Sequence, residues 1–439
     1  MTTAQKLPPG SSGLPLLGET LAFAKDIFGF IHSRTQAHGP VFRSHILGTP
    51  TAFISGPEVC EAWLDEKQVQ REGAFPAPIQ ELFGGAGILP LMDGAPHRAR
   101  KELMLAAFTR EALALYLPAL QKLAETLFEK KAASGESSVL DDLKLFAIEA
   151  ICANVLGLLP GDPQLAAFLA DYAVIFKALA SLPIKLPGTP FWKGLKARDR
   201  VLARFAAIVQ AHQMAPTEDG LSRVLAARAK DGTQITGEQV GKELHHVVLA
   251  GTIVFAVLAQ ILVEVSRNPA VRDRLAAEVK AQSPAGPITA AQLRQMPYLT
   301  QVVNEAKRSA PVVPVSFGKA RVELQMNGYS IPAGWNVMMA VVESNHNKVF
   351  SDPLKFDPDR FSPERAEEKK PYAFSPQGAG TLEAHKCLGY DYSSVLIQVF
   401  TAVLLRGYSW TLPAQDLSLK AGLIPPEQKS GLRIQFKKA

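Results

Sequence analysis

The sequence predicts a mainly α-helical protein with a smaller β-rich part. Helical periodicity of apolar residues recurs over most of 97–309, and another apolar helix follows Cys387. Alternation typical of strands is confined to 41–55 and to parts of 312–376. The 439 residues show no repeat, low-complexity linker or break in composition, so nothing marks a boundary between domains.

The composition favours a soluble protein with a large core. Hydrophobic residues make up 47% of the chain and charged residues 20%. Three scattered cysteines, Cys60, Cys152 and Cys387, are too few for a disulfide framework, which predicts a reducing, cytoplasmic setting. The net charge of +6 is spread along the chain without a long basic run, so nucleic-acid binding is not expected.

The N-terminal part carries the first strands. No apolar stretch precedes Leu14, so we expect neither a signal peptide nor a membrane anchor there. The segment 41–55 predicts a hairpin that turns at Gly48-Thr49-Pro50, and a short helix follows over 57–67. Residues 72–96 are rich in glycine, proline and aromatics, which predicts a long loop that covers a site.

Helices fill the middle of the chain on either side of a proline-rich break at 182–190. The predicted ranges are 97–131, 140–157, 164–181, 191–211, 217–230, 236–267, 269–282, 289–293 and 298–309. Strands and coil follow over 312–376, the helix after Cys387 extends to 406, and short strands close the chain.

The helix at 236–267 has an unusual interior. From Leu244 to Val263 it contains no Asp, Glu, Lys or Arg, and it is long enough to span a bilayer. An apolar helix of this kind also suits the middle of a large protein. We expect a buried central helix, because polar residues interrupt the stretch: His245, His246, Thr252 and Gln260.

Cys387 lies in the most informative segment. A glycine-rich loop over 374–389 places its thiol just before the helix that begins at Tyr390. The positive end of the helix dipole and nearby N–H groups favour a thiolate. A thiolate there attacks carbon, exchanges disulfides or binds a metal, whereas a lone cysteine is most often simply buried. The flanking residues favour a metal, specifically haem iron.

Two distant motifs strengthen the haem interpretation. Glu305 and Arg308 are three residues apart on a predicted helix, so they share one face and can pair. The proline-punctuated coil 356–361 carries Arg360 between aromatic residues. If Arg360 reaches Glu305, a charge-assisted contact joins the helix to the coil.

In this order and spacing, the three motifs resemble those of the cytochrome P450 family, and the resemblance extends from Pro8-Pro9-Gly10 to Gly431-Leu432-Arg433-Ile434. It implies one large, mainly α cytochrome P450 domain over 1–439 with a small β-rich lobe. The β-rich portion covers about 40–56 and 312–340, and the helical portion with the haem site covers about 97–310 and 374–406. By the family pattern, Cys387 ligates the iron of haem b, and the structural charge triad behind the haem consists of Glu305, Arg308 and Arg360.

The resemblance also assigns partners to the haem propionates. His97 matches a family position, Lys101 stands where the family has an arginine, and a lysine holds a carboxylate more loosely. Arg98 and Arg100 can compensate or are simply solvated, while Gly318 replaces a further arginine and leaves Lys319 as a poor substitute or none. The cofactor-binding positions that it implies are His97, Arg100, Lys101, Lys319, Phe374, His385, Cys387 and Gly389.

The cysteine loop departs from the family pattern in length. The family places a phenylalanine seven positions before the cysteine, whereas Phe374 precedes Cys387 by thirteen. The group that shields the sulfur therefore differs, and hydrogen bonding to the sulfur tunes the iron potential.

The central helix departs from the family pattern as well. Dioxygen activation needs protons, which the family supplies through Ala-Gly-x-(Asp/Glu)-Thr. Here Ile253 and Val254 replace the acid and the alcohol after Ala250-Gly251, and neither can relay a proton. Thr252 points away and is expected to bond the carbonyl four residues earlier. The positions assigned to the distal chemistry are Ala250, Gly251, Val254 and His246.

His246 has two interpretations. It shares a face with Ala250, one turn away, and histidine titrates in the range useful for proton donation. It can equally be a structural histidine that neighbouring backbone satisfies.

Three functions remain open. The leading hypothesis is a monooxygenase that inserts oxygen into a small lipophilic substrate with electrons from a ferredoxin. Because Ile253 and Val254 cannot relay protons and the cysteine loop is long, the alternative is a peroxide-driven peroxygenase or a fatty-acid hydroperoxide isomerase or lyase, without a redox partner. The third is a non-catalytic haem sensor or carrier, which the loop covering the site disfavours.

The resemblance assigns an apolar substrate pocket with few polar anchors. Its predicted lining is Phe75, Ile79, Phe83, Ile88, Leu89, Val247, Val312, Val313, Val315, Leu423 and Ile424, beside the central-helix positions above. A ferredoxin would dock on the thiolate side near Lys369, Lys370 and Lys386, and we expect a monomer.

Overall fold

The computed structural model describes residues 6–46, 48–179, 181–310 and 312–439. Residues 1–5 of the predicted domain lie outside these ranges, as do Leu47 of the predicted hairpin, Ala180 of the predicted helix 164–181, and Pro311.

Helices dominate the described residues. In chain order they are α1 Thr20–Lys25, α2 Ile27–His38, α3 Cys60–Leu64, α4 Ala77–Leu82, α5 Gly94–Leu105, α6 Arg110–Ala133, α7 Leu140–Leu156, α8 Pro163–Leu179, α9 Pro190–Met214, α10 Gly220–Ala226, α11 Gly237–Thr252, α12 Phe255–Arg267, α13 Pro269–Gln282, α14 Ala290–Arg294, α15 Pro297–Ser309, α16 Val341–Asn345 and α17 Tyr390–Gly407. The predicted mainly α class is confirmed.

The strands form three small sheets in the described ranges. They are β1 Val41–Ile46, β2 Thr49–Ile54, β3 Val69–Gln70, β4 Glu136–Ser138, β5 Val315–Ala320, β6 Leu324–Met326, β7 Tyr329–Ile331, β8 Asn336–Ala340, β9 Tyr408–Thr411 and β10 Arg433–Lys438. The five-stranded sheet has the order β1-β2-β8-β5-β3, the three-stranded sheet the order β4-β10-β9, and β6 pairs with β7. Strands β2 and β8 are parallel, and the other pairs are antiparallel.

Capping and turn chemistry divide two helices that the periodicity predicts as continuous. The predicted helix 97–131 is interrupted at Thr109, whose side chain accepts a hydrogen bond from the Ala112 N–H and so begins α6. The predicted helix 236–267 is interrupted at Ile253 and Val254, between α11 and α12. Apolar periodicity carries through both interruptions, which explains why it does not reveal them.

Four helices were not predicted: α1, α2, α4 and α16. Helix α2 is capped by Asp26, which accepts from the Gly29 N–H, and it buries only Phe30 and Ile31. The others have five or six residues each, so their apolar pattern is too short to distinguish a helix from a loop.

The core has a helical part and a β-rich part. Buried apolar side chains of α6, α7, α11, α12, α15 and α17 form one cluster, which also includes residues of the outer helices. Two smaller clusters lie on the five-stranded sheet, and in one of them the rings of Phe42 and Phe53 stack 4.8 Å apart. Ala379 of the cysteine loop packs in one of the sheet clusters and Leu388 packs against the helical cluster, so the loop lies where the two parts meet.

The central helix is internal. Among the described residues, the stretch Gly237–Arg267 is long and apolar enough to cross a membrane, and 67% of its most apolar window is buried inside the protein. Gly94–Phe108 with Arg110–Ala133, bent by 45°, also passes this test as a pair. A buried core helix has the same length and composition as a membrane span, so neither stretch indicates membrane insertion.

Candidate functional site

The cysteine loop is held by its own backbone. The Cys387 N–H donates to the Gln377 carbonyl at 2.8 Å, and the Tyr390 N–H donates to the Cys387 carbonyl at 3.2 Å where α17 begins. Gly378 has φ +89°, and a Cβ there would lie 3.0 Å from the His385 carbonyl oxygen, so the close approach requires glycine. Residue Gly389 is the N-cap of α17. This arrangement presents the Cys387 thiol just before the positive end of a long helix.

The other two cysteines have different surroundings. Burial raises the pKa of the Cys60 thiol and of the Cys152 thiol to about 12 in each case. Both therefore stay protonated at neutral pH and behave as small apolar side chains. Cys387 is only partly buried. Of the three, it alone combines partial exposure with a position before a long helix.

The three charged residues of the Glu-x-x-Arg motif and the coil meet in the interior. Arg308 Nε lies 2.7 Å from Glu305 Oε2, and its Nη2 lies 2.8 Å from Oε1. Arg360 Nε lies 3.1 Å from the same Oε2, close enough for an ion pair but not aligned for a hydrogen bond. The three side chains are buried, so Arg308 depends on Glu305 for charge compensation, while Arg360 also pairs with Glu367 at 3.1 Å.

Phe374 packs against the coil that carries Arg360. Its ring packs edge-on against Phe361, with centroids 5.0 Å apart, next to Arg360. The long loop therefore carries its phenylalanine toward the charge triad.

His97 and His385 stack with ring centroids 4.2 Å apart. His385 Nε2 lies 3.1 Å from Glu66 Oε1, whereas His97 Nδ1 is buried and has no hydrogen-bond partner. Burial, with additional effects from nearby charges, lowers the pKa of His97 to about 3 and that of His385 to about 4. The orphaned imidazole nitrogen beside the cysteine loop marks a place where a ligand carboxylate fits.

The same cluster has the donor set of a metal site. One ligand atom from each of Glu66, His97 and His385 lies within 4.8 Å of the other two. Charges of both signs surround the cluster. Lys101 acts on His97 and Arg71 acts on His385 to lower their pKa values, whereas Glu66 and Asp93 act on both histidines in the opposite direction. Burial has the largest effect, so both imidazoles are neutral at neutral pH.

The predicted basic propionate partners occupy three different surroundings. The Lys101 ammonium is buried and donates to the carbonyls of Ala384 and Lys386, so it ties α5 to the cysteine loop. Arg100 pairs instead with Glu243, with Nη1 and Oε1 3.1 Å apart. Lys319 lies on β5, opposite Gln70 of β3.

The surroundings of Gly318 leave no room for the arginine that the family pattern has at this position. A Cβ at Gly318 would lie 2.6 Å from Val69 Cγ1 and 2.7 Å from Trp63 Cζ3, so no side chain fits there. The guanidinium of Arg71 packs on the Trp63 ring at 4.0 Å and is buried. Arg71 therefore brings a cation to this corner from the opposite strand, a role that the sequence pattern did not reveal.

The central helix tightens at the predicted distal positions. The Val254 N–H donates to the Gly251 carbonyl at 3.4 Å, and the Val257 N–H donates to the Val254 carbonyl at 2.9 Å, both over three residues. The Thr252 hydroxyl donates to the Val248 carbonyl at 2.9 Å, as predicted. Gly251 packs against Ile151, whose Cγ1 would lie 2.9 Å from an added Cβ. The break thus has aliphatic side chains where an acid and an alcohol would relay protons.

A buried polar group lies about two turns before Gly251. Glu243 is fully buried, and its Oε1 accepts from the Leu89 N–H and from Arg100. Its Oε2 has no hydrogen-bond partner and lies 3.8 Å from His246 Nδ1, which is also unpartnered. Glu243 was missed because a single acidic residue on a helix resembles a solvated one. The neighbouring His245 is saturated by the Leu82 carbonyl and the Tyr172 hydroxyl.

Aromatic rings connect His246 to the β-rich lobe. The ring of Phe83 lies 6.0 Å from that of His246 and 6.5 Å from that of Phe75, and Phe75 lies 4.7 Å from Phe317 of β5. The covering loop, the central helix and β5 thus share one apolar wall.

The remaining predicted lining residues are dispersed. Ile88, Leu89 and Val247 are buried, whereas Ile79, Val312, Val313 and Leu423 are partly buried. Val315 packs in the β-rich core with Phe42 and Phe53, and Ile424 is 47% exposed. Of the predicted lining, Phe75 and Phe83 have ring contacts in the wall around His246.

Comparison with known proteins identifies the family. The cytochrome P450 family model matches residues 8–427. Cytochrome P450 120 of Synechocystis sp. is 30% identical over 437 residues, which cover 98% of this chain and 96% of that protein. An abscisic acid 8'-hydroxylase of Solanum lycopersicum is 29% identical over 434 residues, covering 96% of this chain and 89% of that protein.

The structural comparison agrees. A structure of cyanobacterial CYP120A1 with bound retinoic acid superimposes with a TM-score of 0.91 at 28% identity, and each chain is covered completely. The chain belongs to the cytochrome P450 family of haem-iron oxidoreductases, and the resemblance found in its sequence motifs is confirmed.

Proposed function

We propose, from this family membership, that the protein is a haem-thiolate monooxygenase that hydroxylates a small lipophilic substrate at an iron ligated by Cys387. The observation that carries the proposal is the half-buried Cys387 thiol, held between a glycine-rich loop and the N-terminus of α17. When bound, haem iron with a thiolate ligand supplies the chemistry that activates dioxygen or a peroxide for oxygen insertion.

We propose haem b as the cofactor and suggest which residues hold it. The orphaned Nδ1 of His97 and the stacked His385 offer imidazole donors to one propionate. Arg71 and Lys101 supply positive charge at the same end of the cysteine loop. Glu305, Arg308 and Arg360 fix the coil behind the thiolate and do not contact substrate.

Proton delivery is assigned to His246 and Glu243. Ile253 and Val254 offer no proton, while the unpartnered His246 Nδ1 and Glu243 Oε2 lie 3.8 Å apart on α11, about two to three turns earlier. Arg100 and the Leu89 N–H hold the other carboxylate oxygen and orient the pair. Histidine can hold a proton near neutral pH and pass it on.

The substrate class is proposed to be a lipophilic carboxylic acid. The names of two similar proteins concern retinoic acid and abscisic acid, each an apolar carbon skeleton with one carboxylate. The wall formed by Phe75, Phe83 and Phe317 suits such a skeleton, and His246, whose ring lies 6.0 Å from that of Phe83, is a polar group beside it.

A peroxide-driven reaction is the second candidate. It is favoured by the aliphatic break at Ile253 and Val254, because a peroxide already contains the protons and electrons that dioxygen activation requires. In that case no redox partner is needed.

With a ferredoxin as donor, Lys386 and the neighbouring Lys369 and Lys370 offer positive charge on the thiolate side. We further propose a cytoplasmic monomer, which agrees with three unpaired cysteines among the described residues.

One comparison tests the oxidant. The purified holoprotein is given retinoic or abscisic acid with either NADPH, ferredoxin and its reductase, or with hydrogen peroxide or a fatty-acid hydroperoxide. Hydroxylated product with the electron donors supports the monooxygenase. Product with the peroxides alone replaces it with the second candidate. Absence of turnover with every oxidant, while haem stays bound, supports a sensor or carrier.

A further inference from the structure

Lys307 is a buried lysine on the helix that carries the charge triad. It lies between Glu305 and Arg308 in sequence, yet its side chain contacts α17 rather than the coil behind the thiolate. Lys307 is only 4% exposed. A lysine this deeply buried is rare unless its charge is compensated. Neither the charge triad nor the proposed proton route uses it.

The Lys307 ammonium is fully hydrogen-bonded within the first turns of α17. Its Nζ lies 3.0 Å from the Tyr390 carbonyl oxygen, 2.9 Å from Ser393 Oγ and 2.6 Å from Ser394 Oγ. These three acceptors match the three N–H donors of an ammonium group. The same Nζ lies 4.4 Å from the centroid of the Tyr390 ring, whose electron-rich face attracts a cation. The site is therefore built for a protonated lysine.

The charge of Lys307 acts on the cysteine loop. Burial lowers the pKa of Lys307 to about 7, whereas the Cys387 sulfur and the Asp391 carboxylate act in the opposite direction. Geometry places the two groups at one residue, because the buried Lys307 ammonium bonds the Tyr390 carbonyl and the Tyr390 N–H donates to the Cys387 carbonyl. A charge in such surroundings acts more strongly than the same charge on the surface.

We propose that Lys307 is a positioning residue for the haem thiolate: its buried ammonium anchors the first turns of α17 and makes the Cys387 sulfur a weaker electron donor to iron. This inference rests on the proposed ligation of haem iron by Cys387. Reduction adds one electron, from the redox partner, to the ferric iron and gives the ferrous iron, while Lys307 keeps its proton. A fixed positive charge near the sulfur favours the reduced state, so it raises the reduction potential.

The test compares variants that separate the charge of Lys307 from its packing. Lys307→Met removes the charge and keeps an unbranched apolar chain, and Lys307→Arg keeps the charge. Lys280→Met removes one positive charge from an exposed position on α13 and is the matched control for net charge. If Lys307→Met does not accumulate as folded holoprotein, Lys307→Gln replaces it, because an amide can still donate to the Tyr390 carbonyl.

Spectroelectrochemical titration of each holoprotein below neutral pH measures the reduction potential. We expect a more negative potential for Lys307→Met, and wild-type values for Lys307→Arg and Lys280→Met. A wild-type potential in Lys307→Met, with haem content and the reduced carbon monoxide spectrum unchanged, overturns the inference and leaves a purely structural link between α15 and α17. Loss of the proposed function is distinguishable, because the wild-type protein itself would then lack a carbon monoxide spectrum that depends on Cys387.

Discussion

Arg308 forms a bidentate ion pair with Glu305, with Nε 2.7 Å from Oε2 and Nη2 2.8 Å from Oε1. Neither side chain is accessible to solvent. The remaining Arg308 nitrogen donates to the carbonyls of Asn345 and Pro353, at 2.9 and 2.7 Å. This contact joins α15 to two distant parts of the chain. Two arginines share one carboxylate here, because Arg360 approaches the same Oε2.

We expect Glu305→Gln to lower the free energy of unfolding by about 3–5 kcal/mol, because it leaves the buried Arg308 without its counter-ion and leaves the buried Arg360 with Glu367 alone. Urea unfolding measures the change, and the ratio of haem to protein shows whether the cofactor is lost with it. Glu238→Gln is the control, since Glu238 forms an exposed pair with Lys242 and should leave stability almost unchanged. Equal effects in the two variants would contradict the role of the triad.

Cys387→Ser should change the position of the absorption maximum of the reduced, carbon monoxide-bound protein, because oxygen would replace sulfur as the proposed iron ligand. Cys60→Ser is the control, since Cys60 is a buried thiol whose Sγ lies 3.4 Å from the Gly56 carbonyl oxygen. We expect that control to keep the wild-type spectrum. An unchanged maximum in Cys387→Ser would exclude Cys387 as the ligand.

The adjacent histidines His245 and His246 allow a matched test of proton delivery. We expect His246→Gln to lower the product formed per NADPH at least about tenfold, with haem content and unfolding unchanged, because the proposed proton route loses its titratable group. His245→Gln should instead lower stability without specifically lowering this yield, since His245 is bonded to Leu82 and Tyr172. If both variants keep the wild-type yield, another group supplies the protons.

The buried His245 predicts that the free energy of unfolding falls at acidic pH. Burial lowers the pKa of His245 to about 4 from an ordinary 6.5, so above pH 6.5 the ring is neutral in both the folded and the unfolded chain. Below that pH the His245 ring binds a proton in the unfolded chain but stays neutral in the folded protein, so the free energy of unfolding falls between pH 6.5 and 4. The loss approaches about 3 kcal/mol at pH 4.

Urea unfolding at a series of pH values measures this fall in unfolding free energy. His246 and Arg198 act on His245 by charge, and Tyr172 by its hydroxyl, so all three stay in place in the comparison. In His245→Gln the slope of unfolding free energy against pH in this window should be smaller by up to about 1.4 kcal/mol per pH unit. The same slope in both proteins would show that His245 titrates normally when folded.

Gly318→Ala should destabilise the protein by about 1–3 kcal/mol, because its Cβ would lie within 3.0 Å of Val69 and Trp63 side-chain atoms. Gly407→Ala is the control, since no atom lies within 4 Å of a Cβ at that end of α17. Thermal unfolding compares the two variants. An unchanged unfolding temperature in Gly318→Ala would mean that the Trp63 side chain moves aside at little cost. Glycine would then not be required to place Arg71.

The sequence alone determined the family, the mainly α fold and the loop that carries Cys387, because these depend on local patterns. Helical periodicity predicted α7, α9, α13 and α17 within a few residues of their ends. Spacing placed Glu305 and Arg308 on one face, since residues three apart on a helix always share a face. The hydrogen bond from the Thr252 hydroxyl to the Val248 carbonyl, four residues earlier, followed from the same helical geometry.

Only the tertiary structure decided which charges face one another. Arg100 pairs with Glu243 across 143 positions of sequence, and Lys101 reaches the cysteine loop across more than 280. Arg71 lies near His385 because β3 pairs with β5, and Lys307 turns toward α17 because α15 packs between two buried surfaces. No local pattern encodes these contacts, since they depend on how distant elements dock and on which buried charge finds a partner there.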